Sequence, residues 1–271
     1  MLADKSISVI GVGKLGEALI SGLINSNTVS KNNITGSVAH EYSRDSLREK
    51  FGIDILLDNR ALIRGKDIVI LALKPQKMAQ VLNEIKDIVT ENQLIISVAA
   101  SMTISCIKQY IKKDLSIIRA MPNIPCLVGE GMTVLSKNSI SSEEHCALAE
   151  AIFSSIGDTV FLDESLMNGV TGLSACGPAY MFVVIEALAE AGVKLGIPRD
   201  ISTLLVAQTM LGSAKMILDS KEHPALLKDM VTTPAGCTID GLIELEEGKL
   251  RVTLIKAVVR SAERASELIS E

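Results

Sequence analysis

Two short stretches hold most of the chemistry that this chain could perform. GVGKLG, residues 11–16, spaces its glycines as G-x-G-x-x-G. It follows an apolar β-rich run, SISVI at 6–10, and precedes a helical pattern, ALISGLI. In that setting Gly11 permits a tight turn, Gly13 lets the backbone approach a diphosphate, and Gly16 lets the helix pack against the strand. A diphosphate would rest on the amides at the helix N-terminus, where the dipole favours negative charge. Gly11, Val12, Gly13, Lys14, Leu15 and Gly16 are therefore the candidate cofactor-binding turn. The same spacing also occurs as a purely structural turn, and it is the strand and helix on either side that favour dinucleotide binding.

The second stretch, TTPAGCTIDGL at 232–242, has no histidine or lysine, and Asp240 is its only charge. Small residues and threonines here stand at the entrance to a helical pattern. Paired amides and hydroxyls at such an entrance could hold a carboxylate, and a hydroxyl could hydrogen-bond a nitrogen that gains electron density during hydride transfer. A nicotinamide carries the difficult step itself, so a protein using one needs mainly to orient substrate, exclude water and stabilise charge. The bland readings are that Thr233 caps the helix and that Pro234 fills a first-turn position.

The acidic residue that usually binds the ribose 2'-hydroxyl of NAD should end the second strand. Ser37, Val38, Ala39, His40, Glu41 and Arg44 stand in this region. Ser37, His40 and Arg44 could surround a 2'-phosphate, whereas Glu41 points towards NAD. NADPH is the expected cofactor and NADH the alternative; a solvated helix entrance that binds nothing is the competing reading.

Other chemistries find little support. His40, His145 and His223 are far apart and no HExxH or cysteine cluster exists, so no metal site is expected. GLSACG at 172–177 misses the G-x-S-x-G spacing of a nucleophile elbow. Cys176 has no basic sequence neighbour to favour thiolate and reads as a small apolar residue.

The elements that must position these groups fall into two halves. ITGSVA, DIVILAL, LIISVAA and SIIRAM continue the strand pattern, with helical stretches such as SRDSLREKFG and KMAQVLNEIKDIV between them. Alternation of this kind implies right-handed crossovers and a mostly parallel, doubly wound sheet. MTVLS at 132–136 and DTVFL at 158–162 read as the last strands. Beyond Asp163 the pattern is helical, near 165–195, 199–220, 223–231, 238–247 and 250–269. The expected fold is therefore α/β, with a Rossmann-like dinucleotide-binding domain over 1–163 and an all-α domain over 164–271.

In the last helix, Leu254, Val258, Ala262, Ala265 and Leu268 predict one buried stripe. The helix from Ala179 is apolar nearly all round, more than one chain's core could cover. An intertwined oligomer would cover it; a central helix in a monomeric bundle is the alternative.

Composition narrows the partners. The chain has 271 residues, 48% hydrophobic, with no Trp and 3% aromatics. The core must then be aliphatic, and stacking on nucleobases is disfavoured. A net charge of -5 leaves no basic field for a nucleic-acid backbone. The opening MLADKSISVIGVG lacks the features of a secretory signal, and AYMFVVIEALAEAGV is interrupted by Glu186 and Glu190, so no membrane span is expected. Five cysteines without a CxxC pair suit reduced thiols in the cytoplasm.

Taken together, GVGKLG, ALKPQ, SVAAS, RAMPNIPCLVGEGMT, TGLSACGPAY, HPALLKD and VTTPAGCTIDGLIELEEGKLR closely resemble the Δ1-pyrroline-5-carboxylate reductase family, in order and spacing, over nearly the whole chain. The resemblance implies NAD(P)H-dependent reduction of (S)-1-pyrroline-5-carboxylate to L-proline. It also implies a helical domain that interlocks with a partner's in a homodimer, often assembled further into rings such as a decamer. By position, Ala72, Leu73, Lys74 and Pro75 would line the cofactor, Asn59 would approach its adenosine end, and Ala99 and Ala100 would lie near the nicotinamide. Met121, Pro122 and Asn123 would border the reacting centre. Thr233, Gly236 and the amides of Cys237 and Thr238 would receive the substrate carboxylate, and the Thr238 hydroxyl would meet the ring nitrogen.

Departures from the family pattern fall at Ser101, Ile124, Cys126, Ala175, Cys176 and Cys237, all near the expected site, where they bear on substrate preference. The rival functions are reduction of another small cyclic imino acid and noncatalytic dinucleotide binding in an interaction protein.

Overall fold

The computed structural model describes residues 2–100 and 102–270, the side chains of 269 and 270 excepted. Its elements run β1 (Ile7–Ile10), α1 (Lys14–Asn25), β2 (Ile34–Ser37), α2 (Glu41–Phe51), β3 (Asp54–Leu56), α3 (Asn59–Leu62), β4 (Ile68–Leu71), α4 (Pro75–Ile85), β5 (Leu94–Ser97) and α5 (Ile104–Ile111). β6 (Ser116–Pro122), β7 (Gly131–Lys137), α6 (Glu143–Phe153) and β8 (Gly157–Phe161) follow. The remainder is helical: α7 (Met167–Val170), α8 (Gly177–Lys194), α9 (Arg199–Ser220), α10 (Pro224–Met230), α11 (Cys237–Glu247) and α12 (Leu250–Ser270).

The strands form one sheet in the order β3-β2-β1-β4-β5-β6-β7-β8. β1 to β6 run parallel, β7 is antiparallel to β6, and β8 is parallel to β7. The inner parallel strands are buried on both faces, which is why they read as continuous apolar runs. Alternate residues serve two cores. Val9, Ile70 and Ile96 meet Leu19 and Leu23 of α1, while Ile10, Leu71 and Ile95 meet Met78 and Leu82 of α4. The chain order reverses between β1 and β4, so the glycine turn after β1 lies at the topological switch point where α/β sheets bind ligands.

Contacts divide the chain into two compact units, one comprising residues up to Ala175 together with Ser261 onwards, the other Cys176–Arg260. In the second unit α8 and α9 pack on each other. A tight glycine contact sets their spacing, since a Cβ on Gly192 would sit 2.5 Å from Ser202 Oγ.

One expectation of burial is corrected. Leu254, Val258, Ala262 and Ala265 of α12 are only half-buried and Leu268 is exposed, because one chain supplies too little apolar surface to cover the stripe. α8 agrees with the reading that one chain cannot cover it, and the alternative of a covered central helix falls: Phe182 is 62% and Val183 64% exposed, as is Leu204 of α9 at 63%. The helical stretches Glu164–Lys194 and Arg199–Ser220 are long and apolar enough to cross a membrane by length and composition, with 11% and 6% of their most apolar windows buried.

Candidate functional site

The glycine turn is fixed by backbone bonds alone. Gly11 and Val12 both donate their N–H to Ser37 O, at 3.1 and 2.9 Å, tying the exit of β1 to that of β2. Gly11 has φ +88°, and a Cβ there would meet Leu73 Cδ2 at 2.7 Å and Ala72 O at 2.8 Å. Gly16 is buried, and a Cβ would lie 3.0 Å from Gly11 O, so any larger residue would push α1 away from the glycine turn. Gly13 differs: its backbone is extended, and a Cβ there would meet nothing within 4 Å.

Gly13 is the N-cap of α1 and no side chain caps the helix. The first-turn amides, on Lys14, Leu15 and Gly16, therefore have no side-chain cap and carry the positive end of the dipole. Glu17, the acidic residue of that turn, is drawn to Lys50 Nζ at 2.7 Å. The donors, the clearance and the offset carboxylate all fit a dinucleotide diphosphate.

Around the exit of β2 the structure joins residues that the sequence left separate. Ser37 is 2% exposed, and its hydroxyl donates to Asn59 Oδ1 at 2.7 Å. Asn59 Nδ2 in turn donates to Glu84 Oε2 at 3.1 Å. Asn59 opens α3, whose N-cap Asp58 accepts from Arg60 N and Ala61 N. His40 stacks on Tyr42, with ring centroids 5.5 Å apart. Arg44 binds Asp45 at 2.8 Å and lies 3.8 Å from Glu41. Asp45 raises the Arg44 pKa and is itself held below the usual aspartate range by the same bond.

At the exits of β4 and β5, Ala72, Leu73 and Pro75 are half-buried and Lys74 is exposed. Lys74 is the extended N-cap of α4, a conformation imposed by Pro75. Ala99 is buried and Ala100 exposed. Ser101 lies outside the described residues. At the far end of β6, Met121 is buried and Pro122 half-buried. Asn123 Oδ1 accepts from Met132 N at 2.9 Å, and its Nδ2 donates to Ser174 Oγ at 3.4 Å. Ser174 belongs to a π-helical turn, Thr171–Ala175, the irregular backbone of TGLSA. Burial raises the Cys126 thiol pKa, which suits an inert lining residue.

TTPAGCT builds a turn that opens onto α11. Gly236 N donates to Thr233 O at 3.1 Å, with Pro234 and Ala235 as the central pair. Ala235 has φ +56°, the left-handed position that a type II turn demands after proline. The N-cap is Gly236, in extended conformation, and no side chain caps α11. Thr233 is therefore not the cap, and Pro234 lies in the turn ahead of the helix rather than in its first turn. Thr233 Oγ1 instead closes over Gly236, leaving too little room for a Cβ on that residue. Cys237 and Thr233 are exposed and Thr238 is half-buried.

One buried group escaped the sequence reading. Arg119, in β6 opposite Ser97, is 1% exposed. Its Nη1 lies 3.3 Å from Glu164 Oε1, and its Nη2 donates to Ala100 O. Glu164 Oε1 also accepts from Ile104 N at 2.8 Å. Burial lowers the Arg119 pKa, and the bond to Glu164 opposes that shift. The signal was present as a cation inside the apolar run SIIRAM.

A mostly parallel sheet with an uncapped helix at its switch-point glycine turn defines a Rossmann-like, dinucleotide-binding class of domain. Comparison with known proteins narrows this. The family described as pyrroline-5-carboxylate reductase dimerisation matches residues 164–268, and that described as NADP oxidoreductase, coenzyme F420-dependent, matches residues 6–101. A pyrroline-5-carboxylate reductase from Methanosarcina acetivorans is 41% identical over 98% of this chain and 99% of its own. The solved structure of a pyrroline-5-carboxylate reductase from Coxiella burnetii superposes with TM-score 0.92 at 36% identity, covering 97% of this chain and 98% of its own. That of pyrroline carboxylate reductase from Plasmodium falciparum, with NADP bound, gives TM-score 0.88 at 31% identity over 99% and 100%.

This chain belongs to the pyrroline-5-carboxylate reductase family. The match to the dimerisation family spans both exposed apolar helices, α8 and α9, and indicates a homo-oligomer.

Proposed function

We propose that the protein reduces the C=N bond of (S)-1-pyrroline-5-carboxylate to L-proline with NAD(P)H, the last step of proline biosynthesis. The observation that carries this is the identity to reductases of that substrate over 98% of the chain. When bound, the reduced nicotinamide supplies the hydride that goes to the imine carbon.

The chain's own residues bind, orient and handle the proton. The uncapped first turn of α1, with Gly11 to Gly16, holds the diphosphate, and Asn59 and Ser37 form the wall at the adenosine end. Ala72, Leu73, Lys74, Pro75, Ala99 and Ala100 line the path towards the nicotinamide. Thr233, Gly236 and the amides of Cys237 and Thr238 grip the substrate carboxylate at the uncapped start of α11. Asn123 borders the reacting centre. The Thr238 hydroxyl meets the ring nitrogen; its own pKa is far too high to donate unaided. The nitrogen's proton therefore either arrives with the substrate as iminium or is relayed from water through Thr238.

NADPH is the preferred reductant in this reading and NADH is accepted, since no carboxylate ends β2 and Glu41 stands nearby. Residues 1–163 act as the dinucleotide-binding domain and 164–271 as the helical dimerisation and substrate-binding domain; the dimerisation-family match beginning at residue 164 supports that boundary. We place the enzyme in the cytoplasm, as a homodimer that can assemble further into a decamer, without nucleic-acid or membrane partners. A net charge of -5 and unpaired cysteines support this placement.

The test is direct. Purified protein mixed with NADPH and pyrroline-5-carboxylate should consume the nicotinamide absorbance and yield L-proline. No oxidation of NADPH with that substrate would sink the reading. A panel of five- and six-membered cyclic imino acids separates it from the rival reductases.

A further inference from the structure

We infer that Arg119 is a positioning residue for the nicotinamide half of the cofactor, acting through the carbonyl of Ala100. The inference rests on the dinucleotide-binding reading above. Arg119 sits in the middle of an apolar strand and is 1% exposed. A buried guanidinium is costly unless it is paired, and a buried ion pair gives little net stability over an apolar core. What this guanidinium holds is therefore more informative than its charge.

It holds one segment. Leaving β5, the chain is fastened at successive points: Ala99 N donates to Ser97 Oγ at 3.4 Å, Ala100 O accepts from Arg119 Nη2, and Ile104 N donates to Glu164 Oε1 at 2.8 Å. Glu164 Oε1 also meets Arg119 Nη1 at 3.3 Å, so a single carboxylate oxygen joins the strand cation to the start of α5. Nε of Arg119 has no hydrogen-bond partner among the described residues, although it is buried. The side chain thus leaves one donor unmet while its two terminal nitrogens reach Glu164 and Ala100.

The sheet order says what the segment faces. With the diphosphate at α1, the adenosine half runs towards β2, where Ser37 and Asn59 meet. The nicotinamide half must then cross the exits of β4 and β5, on the opposite side of β1. Ala100, exposed above the buried Ala99, stands at that second exit. Releasing its carbonyl would loosen the floor under the nicotinamide and leave the adenosine side untouched.

The experiment compares two ligands on the full chain. Binding of NADPH and of 2'-phospho-ADP-ribose, which lacks the nicotinamide, is measured by calorimetry for the wild type, Arg119→Met, Arg119→Lys and Glu164→Gln. Arg119→Met should weaken NADPH about tenfold, the loss of one charge-assisted hydrogen bond, and leave the fragment within about twofold. Arg119→Lys, which can reach only one of the two partners, should fall between Arg119→Met and the wild type, with kcat reduced more than KM for pyrroline-5-carboxylate is raised. Should Arg119→Met fail to fold, Arg119→Lys and Glu164→Gln carry the same comparison. Equal weakening of both ligands, or no change in either, overturns the inference. Wild-type protein that binds both ligands but turns over no pyrroline-5-carboxylate would instead defeat the functional reading and leave this comparison intact.

Discussion

The hydroxyl of Ser37, buried at the end of β2, donates to Asn59 Oδ1 at 2.7 Å, so a strand exit and the first residue of α3 form one wall on the β2 side of the glycine turn. The two partners are not equivalent, because Ser37 is enclosed and Asn59 is half-exposed. Asn59→Ala should strand a buried hydroxyl and cost about 1–3 kcal/mol, whereas Ser37→Ala leaves an amide that water can reach and should cost less. Urea unfolding of the two variants gives the order, and the reverse order would contradict this account of the wall.

Gly11 and Gly13 should respond oppositely to alanine. Gly11→Ala meets both a positive φ, costing about 1–2 kcal/mol, and contact with Leu73 and Ala72, so its Tm should fall. Gly13→Ala finds open space and should melt within about 2 °C of the wild type while losing about tenfold in NADPH affinity. A Gly13→Ala variant with unchanged affinity would remove the α1 entrance from the cofactor site.

Thr238 lies near the start of α11, half-buried and outside the sheet core. Thr238→Ala should reduce kcat/KM by about ten- to a hundredfold with little change in Tm, as one charge-stabilising hydrogen bond is lost. Thr238→Ser should recover most of it. Full turnover in the alanine variant would exclude the hydroxyl from the mechanism.

Acid stability should depend on Ser6. Asp67 accepts from the Ser6 hydroxyl at 2.6 Å and from Ser6 N at 2.7 Å, and the hydroxyl is the main cause holding its carboxyl below the usual aspartate value. A depressed carboxylate contributes stability that is present above the unfolded value of about 3.9 and is lost as pH falls through the lower folded value. Ser6→Ala should therefore melt below the wild type at pH 6, and the gap should close towards pH 2. A gap that stays constant with pH would show that the serine acts only through packing.

The exposed apolar face of α8 and α9 should govern assembly. Phe182→Glu or Leu204→Glu places a charge on a surface that is open in the single chain. Either should shift sedimentation towards the monomer, because a buried unpaired charge at a subunit interface is costly. Unchanged sedimentation would move the interface elsewhere.

The inner strands of the sheet were legible because strands buried on both faces read as mostly apolar runs, and the edge strand β8, half-buried and alternating, was legible from its short β-rich run DTVFL. β3 was not, since three residues beginning with the exposed Asp54 leave too short a pattern. The helices of the second half were legible from period. The burial of α12 was not, because period reports which face is apolar and says nothing of who covers it, whereas the all-round apolar α8 was legible as more than one chain covers. In the candidate site, the glycines carried their meaning in spacing, and of the two readings open for Thr233 the helix cap is the one that falls, since Gly236 occupies that position. The bond between Ser37 and Asn59 spans 22 residues and that between Arg119 and Glu164 spans 45, distances at which only the fold brings partners together.

The uncovered stripe of α12 and the bare faces of α8 and α9 tie folding to mass action. Surface that only a second copy can remove from water makes the stability of each chain rise with the logarithm of its own concentration. The helical half should then loosen on dilution before the sheet does, and enzyme stored dilute should lose its grip on the imino acid while it still binds dinucleotide.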